Sequence, residues 1–128
     1  MKTEQNTTCR FLKIDSVKKV VYSIVLVPDE EDLQEDIIPK EEVEKAAHNF
    51  LLKYRTIGDM HEKVALAAPV ESYILPADIT IGEDRIPAGS WIMATKVFDE
   101  ALWARIESGE ITGMSIGGWS YREEINAV

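Results

Sequence analysis

Between Val17 and Val27 the chain is dense in β-branched and aromatic residues: Val20, Val21, Tyr22, Ile24, Val25 and Val27, with Pro28 closing the run. That density predicts a strand over 17–27. Phe11, Leu12 and Ile14 predict a shorter strand before it, ended by Asp15-Ser16. After Pro39 the period changes. Val43, Ala46, Ala47, Phe50, Leu51 and Tyr54 recur at steps of three and four, which predicts an amphipathic helix running to Arg55. Glu41, Glu42 and Glu44 near its start and Lys53 and Arg55 near its end suit the helix dipole. Strand-like stretches follow over 64–75, where Pro69 marks a bulge or an edge, then over 79–81 and 90–97. Gly82-Glu83-Asp84 and Pro87-Ala88-Gly89 are turns on either side of Ile86. Asp99 caps a second helix that ends near Ser108, buries Leu102, Trp103 and Ile106, and stops at Gly109. Thr112 to Trp119 is rich in small residues, and the segment from Trp119 to Glu124 continues it in extended form. Residues 1–8 hold little to bury and are expected to be a disordered tail before a single domain over 9–128. About six or seven short strands with two helices predict an α+β fold with a mostly antiparallel sheet.

A chain of 128 residues, 45% hydrophobic and 29% charged, suits one domain with a real core. Its net charge of -9 and scattered basic residues exclude a phosphate-binding face, so neither nucleic acid nor an anionic membrane is an expected partner. The apolar run from Val20 to Val27 is interrupted by Ser23 and is too short to span a bilayer. Cys9 is the only cysteine, so no internal disulfide forms. With no signal-peptide pattern at the start, a reducing compartment is expected. Cys9 lies in a polar segment with no base nearby in sequence, which argues against a thiol nucleophile. Two histidines and one cysteine at no ligand spacing give no reason to expect a metal or other cofactor. The acidic run from Asp29 to Asp36 lacks the glycine and terminal glutamate of a calcium loop and reads as a solvated connection.

The candidate chemistry lies in Thr112-Gly113-Met114-Ser115-Ile116-Gly117-Gly118-Trp119. Gly113 to Gly117 matches G-x-S-x-G, the nucleophile elbow of α/β-hydrolases. That fold is excluded on three grounds. Gly117-Gly118-Trp119 is a poor helix start, no histidine follows Ser115, and the chain is too short for the large parallel sheet. What remains is a serine on a strand with a histidine upstream. His61 sits where a loop enters a strand, whereas His48 shares a polar helix side with Glu41, Glu44 and Lys45 and reads as a surface residue. A serine–histidine pair is defined by geometry and not by chain order. His61 would take the Ser115 proton, and backbone N–H groups at Gly117 and Gly118 would hold the oxyanion, where the absence of a Cβ lets substrate approach.

From Val20 to Trp119 the chain resembles the phage prohead (capsid-maturation) serine proteases, in particular the XkdF-like group. The resemblance is carried in order by Val21-Tyr22-Ser23-Ile24-Val25-Leu26-Val27-Pro28, Asp32-Leu33-Gln34-Glu35-Asp36-Ile37-Ile38, the helix from Glu41 to Phe50, Ile57-Gly58-Asp59-Met60-His61, Val70-Glu71-Ser72-Tyr73-Ile74, Gly89-Ser90-Trp91-Ile92-Met93 and the serine stretch. Glu35 stands where such proteins commonly carry glycine. The resemblance implies a fold like that of the herpesvirus assembly protease, a small, mostly antiparallel β-barrel with two main helices packed outside. It implies Ser115 as nucleophile, His61 as general base and Glu71 as third member, with Asp32, Asp36 and Glu123 as alternatives. It further implies a serine endopeptidase acting inside the assembling prohead in the host cytoplasm, cleaving scaffold, major capsid protein and itself. Self-association as a homodimer is a further expectation. The alternative is a catalytically silent barrel that binds scaffold or capsid.

Overall fold

The computed structural model describes residues 8–29, 37–58, 66–115 and 118–121. Two strands, β1 (Thr8–Asp15) and β2 (Val20–Leu26), form the first hairpin. Its turn is built by Asp15, whose Oδ1 accepts the N–H groups of Val17 at 3.1 Å and Lys18 at 3.0 Å. Lys19 completes the turn in the left-handed region at φ 58°. Val17 is 92% exposed there, so the strand expected from 17 begins only at Val20. The aspartate captures the donors that a longer strand would need, and this overrides the β-branched side chain.

The chain continues through α1 (Lys40–Gly58), β3 (Ala67–Ile74), β4 (Ile79–Ile81), β5 (Asp84–Ile86), β6 (Trp91–Val97), α2 (Glu100–Glu107), β7 (Ile111–Ser115) and β8 (Gly118–Tyr121). Six strands form one sheet in the order β3-β6-β2-β1-β7-β8, while β4 and β5 form a separate two-stranded unit. Every described pairing is antiparallel.

The six-stranded sheet is strongly curled but open, which corrects the expected barrel. On its concave side the Thr95 hydroxyl of β6 lies 4.0 Å from Met114 Sδ of β7, although β2 and β1 stand between those strands. A flat sheet would separate β6 and β7 by roughly 14 Å. Yet the two edges, β3 and β8, do not pair with each other. β3 carries Pro69, which lacks an N–H, and a register shift between Pro69 and Glu71, both features of an edge strand.

The helices also sit differently from expectation. They close the two ends of the concave side and do not pack outside a filled barrel. At one end Val43 and Ala47 of α1 join Cys9, Val25, Trp91, Met93 and Met114 in one buried cluster, with Phe50 packed against it. The Phe50 and Trp91 rings are 5.7 Å apart between centroids. At the other end Leu102, Trp103 and Ile106 of α2 join Val21, Val97 and Ile111. Fully burying each such large apolar side chain contributes about 1.5–3 kcal/mol. The opposite, convex face is covered in part by the β4–β5 hairpin, where Ile86 joins Ile24, Ile92 and Leu75, with Leu12, Ile79 and Ile81 alongside.

α2 follows its sequence signals closely. Asp99 Oδ2 accepts the Leu102 N–H at 2.8 Å as N-cap. At the far end Gly109 takes φ +88°, and the N–H groups of Gly109 and Glu110 reach back to Ile106 and Arg105 carbonyls. This αL termination needs glycine.

Ile111 is 1% exposed and joins α2 to the strand that ends in Ser115, so Ile111→Ala should cost about 2–5 kcal/mol in urea unfolding. Asp78 is held below the usual carboxylate range by the Arg85 guanidinium and then by the Ala88 N–H, each at 2.8 Å. A depressed folded pKa adds stability above the unfolded value of 3.8 that is lost as pH falls below it. The stability gap between wild type and Asp78→Asn should therefore be present at pH 6 and shrink as pH falls below about 4, measured by denaturant titration at each pH.

Candidate active site

Ser115 is the last residue of β7, paired with Thr8 of β1 on one side and with Gly118 of β8 on the other. Only Ile116 and Gly117 separate Ser115 from Gly118, so the serine ends one strand of a hairpin. Chain direction reverses there into a strand, not a helix, which removes the nucleophile-elbow reading on geometric grounds. Gly118, one of the two expected oxyanion glycines, lies directly across the hairpin; Gly117 falls outside the described residues.

What holds this position is the ladder beneath it. Cys9 pairs with Met114, and both are buried in the concave core. Although its sequence neighbours are polar, Cys9 opens the core: it is 1% exposed, and burial pushes its thiol up to about 12. A thiol so protonated is a poor nucleophile despite its closeness to the serine strand.

The other expected site residues are distributed as follows. His61 lies between α1 and β3, outside the described residues, as do Asp32, Asp36 and Glu123. Glu71 lies on β3 and is exposed. Its row across the sheet runs Glu71, Ala94, Tyr22, Lys13. The Lys13 ammonium lies 4.8 Å from the centre of the Tyr22 ring. Burial, then the Glu71 carboxylate, then Tyr22 raise the phenol pKa of Tyr73 above its ordinary value. Glu71 thus belongs to a polar and aromatic strip on β3 and β2. Three strands, β6, β2 and β1, separate it from β7. Four strand spacings amount to roughly 19 Å along the curved sheet. His48 is a surface residue, 65% exposed, with Nε2 3.9 Å from Glu44 Oε2 one turn earlier in α1.

Among the described residues no three His, Cys, Asp or Glu side chains gather as metal ligands, and no helix is long and apolar enough to cross a membrane. One residue that sequence reasoning passed over stands beside the serine strand. Arg10 of β1 pairs with Gly113, two register positions from the Thr8–Ser115 pair. Its signal was the alternation of Cys9, Arg10 and Phe11, which puts the arginine on the face opposite the core.

No solved structure matches the chain. The chain is 44% identical over 110 residues to "Phage-like element PBSX protein XkdF" of Bacillus subtilis (strain 168), covering 84% of this chain and 40% of that protein. It is 42% identical over 102 residues to "Uncharacterized protein YqbD" of the same organism, covering 79% of this chain and 31% of that one. It therefore spans less than half the length of either relative. Over residues 8–124 it matches the model of the family described as "putative phage serine protease XkdF", and the chain belongs to that family.

Proposed function

We propose that this protein is a serine endopeptidase of phage or prophage head maturation, with Ser115 as nucleophile and His61 as general base. The observation that carries the reading is the place of Ser115. It ends a core-anchored strand at a hairpin whose opposite residue is glycine, inside the stretch that matches a phage serine protease family. Strand register sets where its backbone stands, so a base brought to it meets a fixed target.

The chemistry follows from these groups. Ser115 Oγ attacks the scissile carbonyl carbon while His61 accepts the hydroxyl proton. The tetrahedral oxyanion is held by backbone N–H groups at the hairpin, Gly117 and Gly118. Collapse breaks the C–N bond, His61 returns its proton to the leaving amine, and an acyl-enzyme remains. Water, deprotonated by His61, attacks the ester and releases the acid and free Ser115. No metal or cofactor enters. The substrates we assign are scaffold, the major capsid protein and the protease chain itself, met inside the assembling shell in the host cytoplasm. The name of the PBSX relative supports the phage setting. The resemblance to the phage prohead proteases supports the serine–histidine pairing, and self-association as a dimer is part of the same proposal.

Glu71 completes the triad implied by the resemblance, and the sheet order argues against it. A carboxylate that orients the histidine stands within about 8 Å of the serine oxygen, the sum of two hydrogen bonds and an imidazole width. Glu71 pairs with Ala94, which alternates with the core-facing Met93, so it stands on the convex face, where the curl spreads the side chains of distant strands apart.

Co-expression with a scaffold or capsid substrate tests the assignment. Ser115→Ala and His61→Ala should each lower processing by about 1,000-fold or more. Equal processing by wild type and Ser115→Ala would remove the nucleophile and leave the silent, capsid-binding reading. Glu71→Gln should change the rate by less than about 10-fold, whereas a loss near 10,000-fold would establish it as the orienting carboxylate. Iodoacetamide should leave processing intact, because the Cys9 thiol is buried and held protonated by a pKa of about 12.

A further inference from the structure

Arg10 is the cationic residue closest in register to Ser115 among the described positions of β1, β7 and β8. Thr8 pairs with Ser115 and Arg10 with Gly113. Two residues along one strand and one strand across put the Arg10 and Ser115 Cα atoms about 8 Å apart. Cys9 and Phe11, its neighbours on β1, pack into the core, so Arg10 projects from the other face, where its side chain is 57% exposed. Its pair across the ladder, Gly113, has no side chain to fill the strip beside the guanidinium.

The guanidinium is loosely engaged. Its Nη1 lies 3.4 Å from Asp84 Oδ2, at the start of β5 on the hairpin that covers this face, and the Asp84 side chain is 48% exposed. By contrast Arg85 reaches Asp78 at 2.8 Å and Arg105 reaches Glu110 at 2.7 Å. Charge-assisted hydrogen bonds close to about 2.7–2.9 Å when formed in full. A long, solvated pair gives up its partner readily to another carboxylate. In a chain of net charge -9, a positive group next to the serine strand marks a point where an anion is accepted in place of being repelled.

We propose that Arg10 is a substrate-binding residue that takes an Asp or Glu side chain of the peptide within two residues of the scissile bond, Asp84 occupying its place in the free protein. This rests on the protease reading for its location beside a scissile bond, but not for the binding itself. An extended peptide advances about 3.4 Å per residue. A carboxylate one or two residues from a carbonyl at Ser115 therefore falls within reach of a long, flexible arginine whose Cα stands about 8 Å from that of Ser115.

A pooled library of random decapeptides separates the two claims. Peptides retained by immobilised Ser115→Ala protein are identified by mass spectrometry, and those cut by the wild type are mapped in parallel. Retained peptides should be enriched in Asp and Glu. The enrichment should be lost in Ser115→Ala/Arg10→Gln, with affinity for an acidic peptide falling about 10-fold, roughly 1.4 kcal/mol. Ser115→Ala/Arg10→Lys should keep part of it, and Ser115→Ala/Asp84→Asn should bind acidic peptides severalfold more tightly. Arg10 is a surface residue, and unchanged circular dichroism of each variant confirms that folding is not the cause. Retention without acidic enrichment, or enrichment that survives Arg10→Gln, overturns the assignment. A wild type that cuts no more than Ser115→Ala, with Arg10-dependent retention intact, would instead overturn the protease reading and leave this binding site standing.

Discussion

Register between β1 and β7 is the constraint on which the site depends. Strand side chains alternate, so a slip of one residue moves an entire face from core to solvent. Here Cys9 and Met114 face each other in the concave core beside Val25, Met93 and Trp91. A slip would expose them and drive Arg10 toward the interior, where an unpaired charge costs several kcal/mol or more. The same pairing sets Thr8 against Ser115 and, through β8, Gly118 against it. The hydrophobic core therefore determines where the serine backbone stands, and α1 and α2 hold the register by closing the two ends of that core.

How much of this was legible depended on whether the signal was local. α2 was readable from Asp99 to Gly109, because a cap, three apolar positions and an αL glycine lie within a few turns of each other. Pro69 likewise marked a bulge or an edge, and β3 lies at the sheet edge with a register shift beside that proline. Val17 misled, because a side-chain carboxylate two residues earlier took its N–H for a turn. Barrel closure was not legible at all. It depends on whether β3 and β8 meet, a relation between segments at opposite ends of the sheet that no local pattern encodes.

The site divides along the same line. Small residues around Ser115 pointed to a strand-borne serine, and the hairpin at Ser115–Gly118 agrees with that. Glu71 came from the family resemblance of Val70-Glu71-Ser72, and its place on β3, four strands from β7, follows from a sheet order that is not the chain order. Alternation could place Arg10 on the outer face, but its closeness to Ser115 exists only once β1 pairs with β7.

A nucleophilic Ser115 activated by His61 would react with a fluorophosphonate probe. The probe is incubated with processing-competent protein, and the adduct is located by tandem mass spectrometry. One phosphonylated residue, Ser115, is expected, with labelling abolished in His61→Ala. Processing-competent protein without an adduct on Ser115, or labelling of Ser115 unchanged in His61→Ala, would contradict that assignment.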